Sequence, residues 1–208
     1  MAIKEIRFWN GGGVMSNVTR QKELETKEIG QYRKALLSNV NGRILELGIG
    51  KGTNLLYYPR SVHKIVGVDH SLKKLCRSIP ETEHYYVDYN HLPFEDASFD
   101  TVVVTFLFHQ IVELEPVFSE IKRVLRTRGR LIFMDFGKAE GIFDNIVQNL
   151  LNPFCEIFIG NVINRDYCSL LKEQNFLLAN QVKKNVMIPP KSAFGTLYMG
   201  VAINTEGK

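Results

Sequence analysis

The chain has 208 residues, 45% hydrophobic and 23% charged, with a formal net charge of +4. Such values describe a globular chain with one buried core and exclude an intrinsically disordered one. No block of like charges occurs, which excludes a nucleic-acid-binding arm, although the mild positive balance leaves room for an anionic substrate or peripheral membrane contact. Cys76, Cys155 and Cys168 are odd in number and lack CxxC spacing, so neither a disulfide framework nor a metal site is expected. They point to a reducing compartment, the cytoplasm. The opening MAIKEIRFWNGGG lacks the apolar run of a signal peptide, and no apolar stretch is long enough to span a membrane.

The first forty residues are polar and helix-prone, broken at Gly11-Gly12-Gly13. From Val18 to Leu37, apolar Leu24, Ile29, Tyr32 and Leu36 recur among charges, which predicts an amphipathic helix lying on another element. Arg43 to Leu47 reads as a short buried strand running into Gly48-Ile49-Gly50-Lys51-Gly52. A helix is predicted from Thr53 to Tyr58, ended by Pro59. Lys64 to Val68 is a second strand ending at Asp69, and Ser71 to Ser78 a helix with Ser71 as N-cap. Glu83 to Val87 is a third strand, ending at Asp88. Phe99 to Phe106 is a fourth, apolar nearly throughout, as in a central parallel sheet.

Leu114, Val117, Phe118, Ile121, Val124 and Leu125 then trace a clear helix, with Pro116 in its first turn, where a missing N–H costs nothing. A turn closed by Gly129 leads to a fifth strand, Arg130 to Phe136. Alternating strands and helices with short connections predict a doubly wound α/β fold. Ile142, Phe143, Ile146, Val147, Leu150, Leu151 and Phe154 follow at helical spacing, with Asp144, Asn145, Gln148 and Asn149 facing away. This stripe has two readings: a helix packed on the sheet as core, or a lid over a substrate that also touches a membrane. A helix from Arg165 to Gln174 and strands over Phe176 to Val186 and Gly195 to Asn204 complete the chain.

Glycines in the loop after the first strand allow a sharp turn and close ligand approach. A following helix N-terminus would add unpaired N–H groups. A dinucleotide site needs G-x-G-x-x-G, but here the third glycine is Gly52 and Thr53 occupies the required position. Glu46 would repel a pyrophosphate and suits the cationic amino group of a methionine moiety. Asp69, about 20 residues beyond the loop, stands where a carboxylate accepts both ribose hydroxyls. Asp88, ending the next strand, can accept an adenine amino group.

Glu46-Leu47-Gly48-Ile49-Gly50-Lys51-Gly52, Val68-Asp69, the block from Asp88 to Asp100 and the block from Glu120 to Arg130 resemble, in order, the motifs of class I S-adenosylmethionine-dependent methyltransferases. The resemblance covers Asn41 to Phe136; the family's usual lysine-proline-glycine-glycine turn is here Arg126-Thr127-Arg128-Gly129. It implies a seven-stranded, mostly parallel Rossmann-like sheet whose last strand is antiparallel. S-adenosylmethionine is the implied cofactor. It further implies that Gly48 and Gly50 pack on the methionine part, Asp69 holds the ribose and His70 lies against the adenine. Asp88 and the Tyr89 N–H would read the adenine edge, and Thr105 and Phe106 would face the sulfonium. The implied organisation is one domain over 1–208. It comprises an N-terminal helical cap (1–40), a cofactor-binding half (41–136) and substrate-side helices with the last two strands (137–208).

Gly52-Thr53-Asn54, Tyr58-Pro59 and the segment Gly160 to Asp166 are similar to a methyltransferase type 11 group of small methyltransferase-like proteins. Their membrane-anchored animal members methylate thiols through a chain with a hydrophobic N-terminal anchor that this sequence lacks. The implied acceptor is small and lipophilic: a thiol, a phenol or quinone, or a phospholipid amine. His109, following the fourth strand, is the candidate base; Asp135 is a weaker one, and Cys155 reads as a packed hydrophobe. Phe8-Trp9 and the helix bearing Tyr32 would form the opposite wall. A nicotinamide-dependent oxidoreductase and a non-catalytic adenosylmethionine-binding protein stand as alternatives.

Overall fold

Successive residues of a strand point to opposite faces, and here both faces are apolar. Leu45, Leu47, Val66, Val68, Val102, Val104, Leu131 and Phe133 join one core cluster, while Ile44, Ile65, Val103 and Ile132 join another on the opposite side. That pattern requires cover on both sides of a sheet. The computed structural model describes residues 27–62, 64–70, 81–185 and 196–206 and shows this arrangement.

Helix α1 (Lys27–Leu37) precedes strand β1 (Ile44–Leu47), followed by β2 (Lys64–Asp69), β3 (Glu81–Tyr86) and β4 (Phe99–Thr105). Then come α2 (Glu115–Val124), β5 (Leu125–Gly137), α3 (Ile142–Ile159), α4 (Tyr167–Glu173), β6 (Phe176–Asn185) and β7 (Thr196–Asn204). The sheet has seven strands in the order β3-β2-β1-β4-β5-β7-β6, with β7 antiparallel to both its neighbours. Helices α2 and α4 cover one face through Val117, Phe118, Ile121 and Leu171, and α1 contributes Leu37 to the other. The parallel strands thus end together, and the site lies at those ends.

Several sequence expectations change. The expected helix from Thr53 to Tyr58 is only a 3₁₀ turn, Thr53–Leu56. Strand β5 begins five residues early, because the expected turn at Arg126 to Gly129 is absorbed into it. Its register shifts between Phe99 and Thr101 of β4, and Arg128 takes a φ of 63°. Helix α4 is shorter than expected because the Asp166 carboxylate caps it, accepting from Cys168 N and Ser169 N. The largest correction concerns α3. Its apolar stripe faces outward and Gln148 is fully buried, so the core-packed reading fails. The reason is hydrogen bonding. Gln148 accepts from Ala139 N (2.7 Å) and donates to the carbonyls of Gly137 (3.0 Å) and Ile163 (2.9 Å). The expected Ser71 helix, Phe8-Trp9 and the start of the first expected helix lie outside the described residues.

Candidate active site

The glycine loop turns at Gly48, Gly50 and Gly52, whose φ values of 70°, 55° and 78° are left-handed. A side chain at Gly48 would also meet Leu107 at 3.1 Å. Four of the loop's five N–H groups are engaged within the protein. Gly48 N and Ile49 N donate to Val68 O, Gly52 N to Ile49 O, and Gly50 N to Asp69 Oδ2 at 2.8 Å. With those donors engaged, and a 3₁₀ turn in place of an α-helix after the loop, the geometry differs from the glycine-loop-to-helix arrangement that holds a pyrophosphate.

A cavity of about 290 Å³ opens beside the loop, lined among others by Arg33, Glu46, Gly48, Gly50, Thr105 and Phe106. Glu46 on β1 is 2% exposed. Its Oε1 accepts from Asn54 Nδ2 (3.1 Å) and its Oε2 from the Tyr58 hydroxyl (2.9 Å). Burial pushes its carboxyl up to about 7, against the opposing pull of Tyr58, Asn54 and the Arg33 charge. Arg33 enters from α1, donating to Asn54 Oδ1 and to Thr105 Oγ1 (3.0 Å), with its guanidinium 4.9 Å from the Phe106 ring centroid. Phe106 takes a φ of 53°, uncommon for a bulky residue; its N–H bonds Met134 O (2.8 Å) and its ring packs on Phe136. The cavity therefore pairs an acidic and a cationic group, complementary to an α-amino-acid zwitterion.

Arg33 escaped the sequence reading, which set Tyr32 on the inner face. The buried residues of α1 are Ile29, Arg33 and Leu37, spaced i, i+4, i+8. An arginine on that line was the available signal.

Asp69 is buried at the end of β2, touching the loop through Gly50. His70 follows it, its N–H donating to the Tyr89 hydroxyl (3.2 Å) and its ring edge-on to Tyr89. Burial first, and then the Asp69 charge, hold the Tyr89 phenol above its ordinary range. β3 ends at Tyr86, but Val87 N still bonds Asp69 O (3.0 Å), so Asp88 lies just past the same sheet end. Asp88 is exposed, accepts from Asn90 N (2.9 Å) and does not line the cavity.

His109 does not line the cavity either. It stands three residues beyond Phe106, in the 3₁₀ turn Phe108–Gln110. Its Nδ1 lies 2.7 Å from Asp135 Oδ1 and its N–H donates to Asp135 Oδ2 (3.2 Å). A carboxylate oxygen accepts, so Nδ1 is the donor in this contact and Nε2 is the ring nitrogen not tied to Asp135. The turn is held from outside. Arg165 donates to the carbonyls of Phe108 (2.7 Å), Ile111 and Val112, and Val162 N donates to His109 O (2.7 Å). Asp135, weighed as a base from sequence, is instead the group that orients His109.

The strand order with its reversed β7, and the glycine loop at the end of β1, define a Rossmann-like methyltransferase fold. It departs from the 3-2-1-4-5-6 order of dinucleotide-binding sheets. Residues 45–133 match the family model described as a methyltransferase domain. The phosphatidylethanolamine N-methyltransferase of Cereibacter sphaeroides is 34% identical over 122 residues, 52% of this chain and 60% of that protein. A ubiquinone/menaquinone biosynthesis C-methyltransferase of Wigglesworthia glossinidia brevipalpis is 26% identical over 179 residues, 79% of this chain and 72% of that one. The solved structure of a geranyl diphosphate methyltransferase in complex with S-adenosylmethionine superposes with a TM-score of 0.62 at 15% identity, covering 90% of this chain and 88% of that one. Over residues 45–133 the chain is thus similar to S-adenosylmethionine-dependent methyltransferases, and its fold is theirs. Nothing in the site or the comparisons supports the nicotinamide-dependent alternative.

Proposed function

We propose that this chain moves the methyl group of S-adenosylmethionine to a small lipophilic acceptor, with His109 as general base. The observation that carries it is the joining of two sites by one short segment. Thr105 and Phe106 line the cavity, and His109 follows three residues later, paired with Asp135 at 2.7 Å. The names of the two relatives, a phosphatidylethanolamine N-methyltransferase and a ubiquinone/menaquinone biosynthesis C-methyltransferase, support a phospholipid amine or a quinone-like phenol; a thiol is the third candidate. Cys155 and Cys168 are free thiols, in keeping with a reducing compartment such as the cytoplasm.

The cofactor, when bound, supplies a methyl group already activated on a sulfonium. Glu46 faces its ammonium group and Arg33 its carboxylate. Gly48 and Gly50 allow close approach, Asp69 takes the ribose hydroxyls, and His70, Asp88 and Tyr89 serve the adenine. Thr105 and Phe106 wall the methyl-bearing side and help exclude water. His109 Nε2 accepts a proton from the acceptor O–H or N–H, and Asp135 keeps the ring oriented and stabilises the imidazolium. Orientation supplies much of the rate. A thiol, with a pKa near about 8.5, needs the base least.

Titration with S-adenosylhomocysteine and with NAD tests the cofactor: binding of the first alone is expected, and binding of NAD alone would overturn the reading. A labelled-methyl panel of thiols, catechols, quinols and phosphatidylethanolamine tests the acceptor. S-adenosylhomocysteine binding with no turnover across the panel would favour the non-catalytic alternative.

A further inference from the structure

Helix α3 is amphipathic in the reverse sense. At 100° per residue its large apolar side chains fill one half of the circumference, and Gln148, Asn152 and Cys155 occupy the other. The inner half is pinned. Besides the three Gln148 bonds, Asn152 Oδ1 accepts from Ile163 N (2.8 Å) and Cys155 is buried. Rolling the apolar half inward would leave those backbone groups without partners. The outer half stays bare: Ile142, Phe143, Leu150, Phe154, Ile157 and Phe158 are each 55–83% exposed.

We infer that this outer face of α3 is a membrane-docking surface that lies in the plane of a lipid bilayer. Its dimensions select the occupant. Eighteen residues make a face about 27 Å long, apolar across about half the helix. A single partner helix, α3 of a second copy included, packs along a narrower seam than this face. A bilayer interior covers all of it. At 100° per residue Asp144 and Glu156, the helix's charged residues, fall on the Gln148 side; Asp144 is exposed in the first turn and Glu156 is half-buried, so the apolar half itself carries no charge. Among the described residues no helix is long and apolar enough to cross a membrane, which leaves the in-plane orientation.

The face is also continuous with the candidate active site. Gln148 ties α3 to Gly137 at the end of β5 and to Ile163, and neighbouring Val162 bonds His109 O. A bilayer under α3 would therefore sit beside the turn that carries His109. This second step rests on the proposed lipophilic acceptor; the docking itself does not. Because the helix contributes no basic residue, insertion should be driven by apolar burial and resist salt.

The test is vesicle flotation of the full chain with phosphatidylcholine alone and with added anionic lipid, at low and high salt. The chain should float with both, and high salt should not release it. The triple variant Phe143→Glu, Leu150→Glu, Phe154→Glu should partition at least tenfold less, with unchanged circular dichroism and unchanged S-adenosylhomocysteine affinity. Three results would overturn docking: a wild type that stays with neither vesicle, a variant that floats equally well, or a wild-type dimer that the variant abolishes without any vesicle binding. Methylation separates the two claims. If acceptors dissolved in water and acceptors in vesicles both fail while the wild type floats, docking stands and the acceptor reading falls. If both readings hold, the variant loses at least tenfold on vesicle-borne acceptors only.

Discussion

Replacing Glu46 with Gln separates stability from cofactor binding. The carboxyl titrates near 7 in the folded chain against an ordinary 4.5, chiefly because it is buried. A raised carboxylate pKa means that the folded state holds the proton more tightly than the unfolded one. Stability from this group is therefore present below about pH 4.5, falls as pH rises through 7, and stays lost above it. The shift sets a ceiling of about 3 kcal/mol on that loss. Geometry favours the glutamine. Its carbonyl would still accept from Asn54, and the Tyr58 hydroxyl can turn to accept from its amide. Loss of the charge facing Arg33 subtracts part of the gain. Urea unfolding at pH 5 and pH 8 should show Glu46→Gln more stable than wild type at pH 8 by about 1–3 kcal/mol, and near wild type at pH 5. Calorimetry at pH 8 should show S-adenosylhomocysteine binding at least about tenfold weaker in the variant, one lost charge-assisted hydrogen bond. Wild-type affinity should itself fall as pH drops below 7. A variant that is less stable at both pH values, with unchanged affinity, would overturn both expectations for Glu46.

If Asp69 takes the ribose hydroxyls as proposed, Asp69→Ala should weaken S-adenosylhomocysteine binding by about 2–4 kcal/mol, measured by calorimetry, the worth of two hydroxyl hydrogen bonds to a carboxylate. His109→Ala and Asp135→Asn should lower kcat by about 10²- to 10⁴-fold for phenol or amine acceptors and far less for thiols, with cofactor affinity unchanged. A uniform loss across acceptors would argue against a base. Gln148→Ala should destabilise the fold by about 3 kcal/mol in urea unfolding, since two buried carbonyls and an N–H lose their partner.

The elements of the sheet were legible because their signals are local. Four-to-seven-residue apolar runs marked β1, β2 and β4, and the heptad-like spacing from Leu114 marked α2. The glycine register, with Asp69 a strand later, marked the loop proposed to hold the cofactor. The start of β5 was not legible, since the turn at Arg126 to Gly129 looks like a break until pairing with β4 draws it into the strand. Nor was the brevity of the turn after the loop, where helical residues follow a left-handed Gly52.

Composition, spacing and turn chemistry alone determined an α/β sheet, its order of elements and a carboxylate-flanked loop suited to adenosylmethionine. Only the tertiary structure decided what meets across long sequence separations. It brought Arg33 of α1 to Asn54 and Thr105 beside Glu46, and Asp135 of β5 to His109 after β4, because adjacent strand ends converge. It also decided which half of α3 faces inward. The period of that helix is written in the sequence, but its direction was set by unpaired backbone groups at Gly137, Ala139 and Ile163, which demanded Gln148. A hydrophobic stripe reports where a helix is apolar; the polar groups awaiting partners decide where that stripe points.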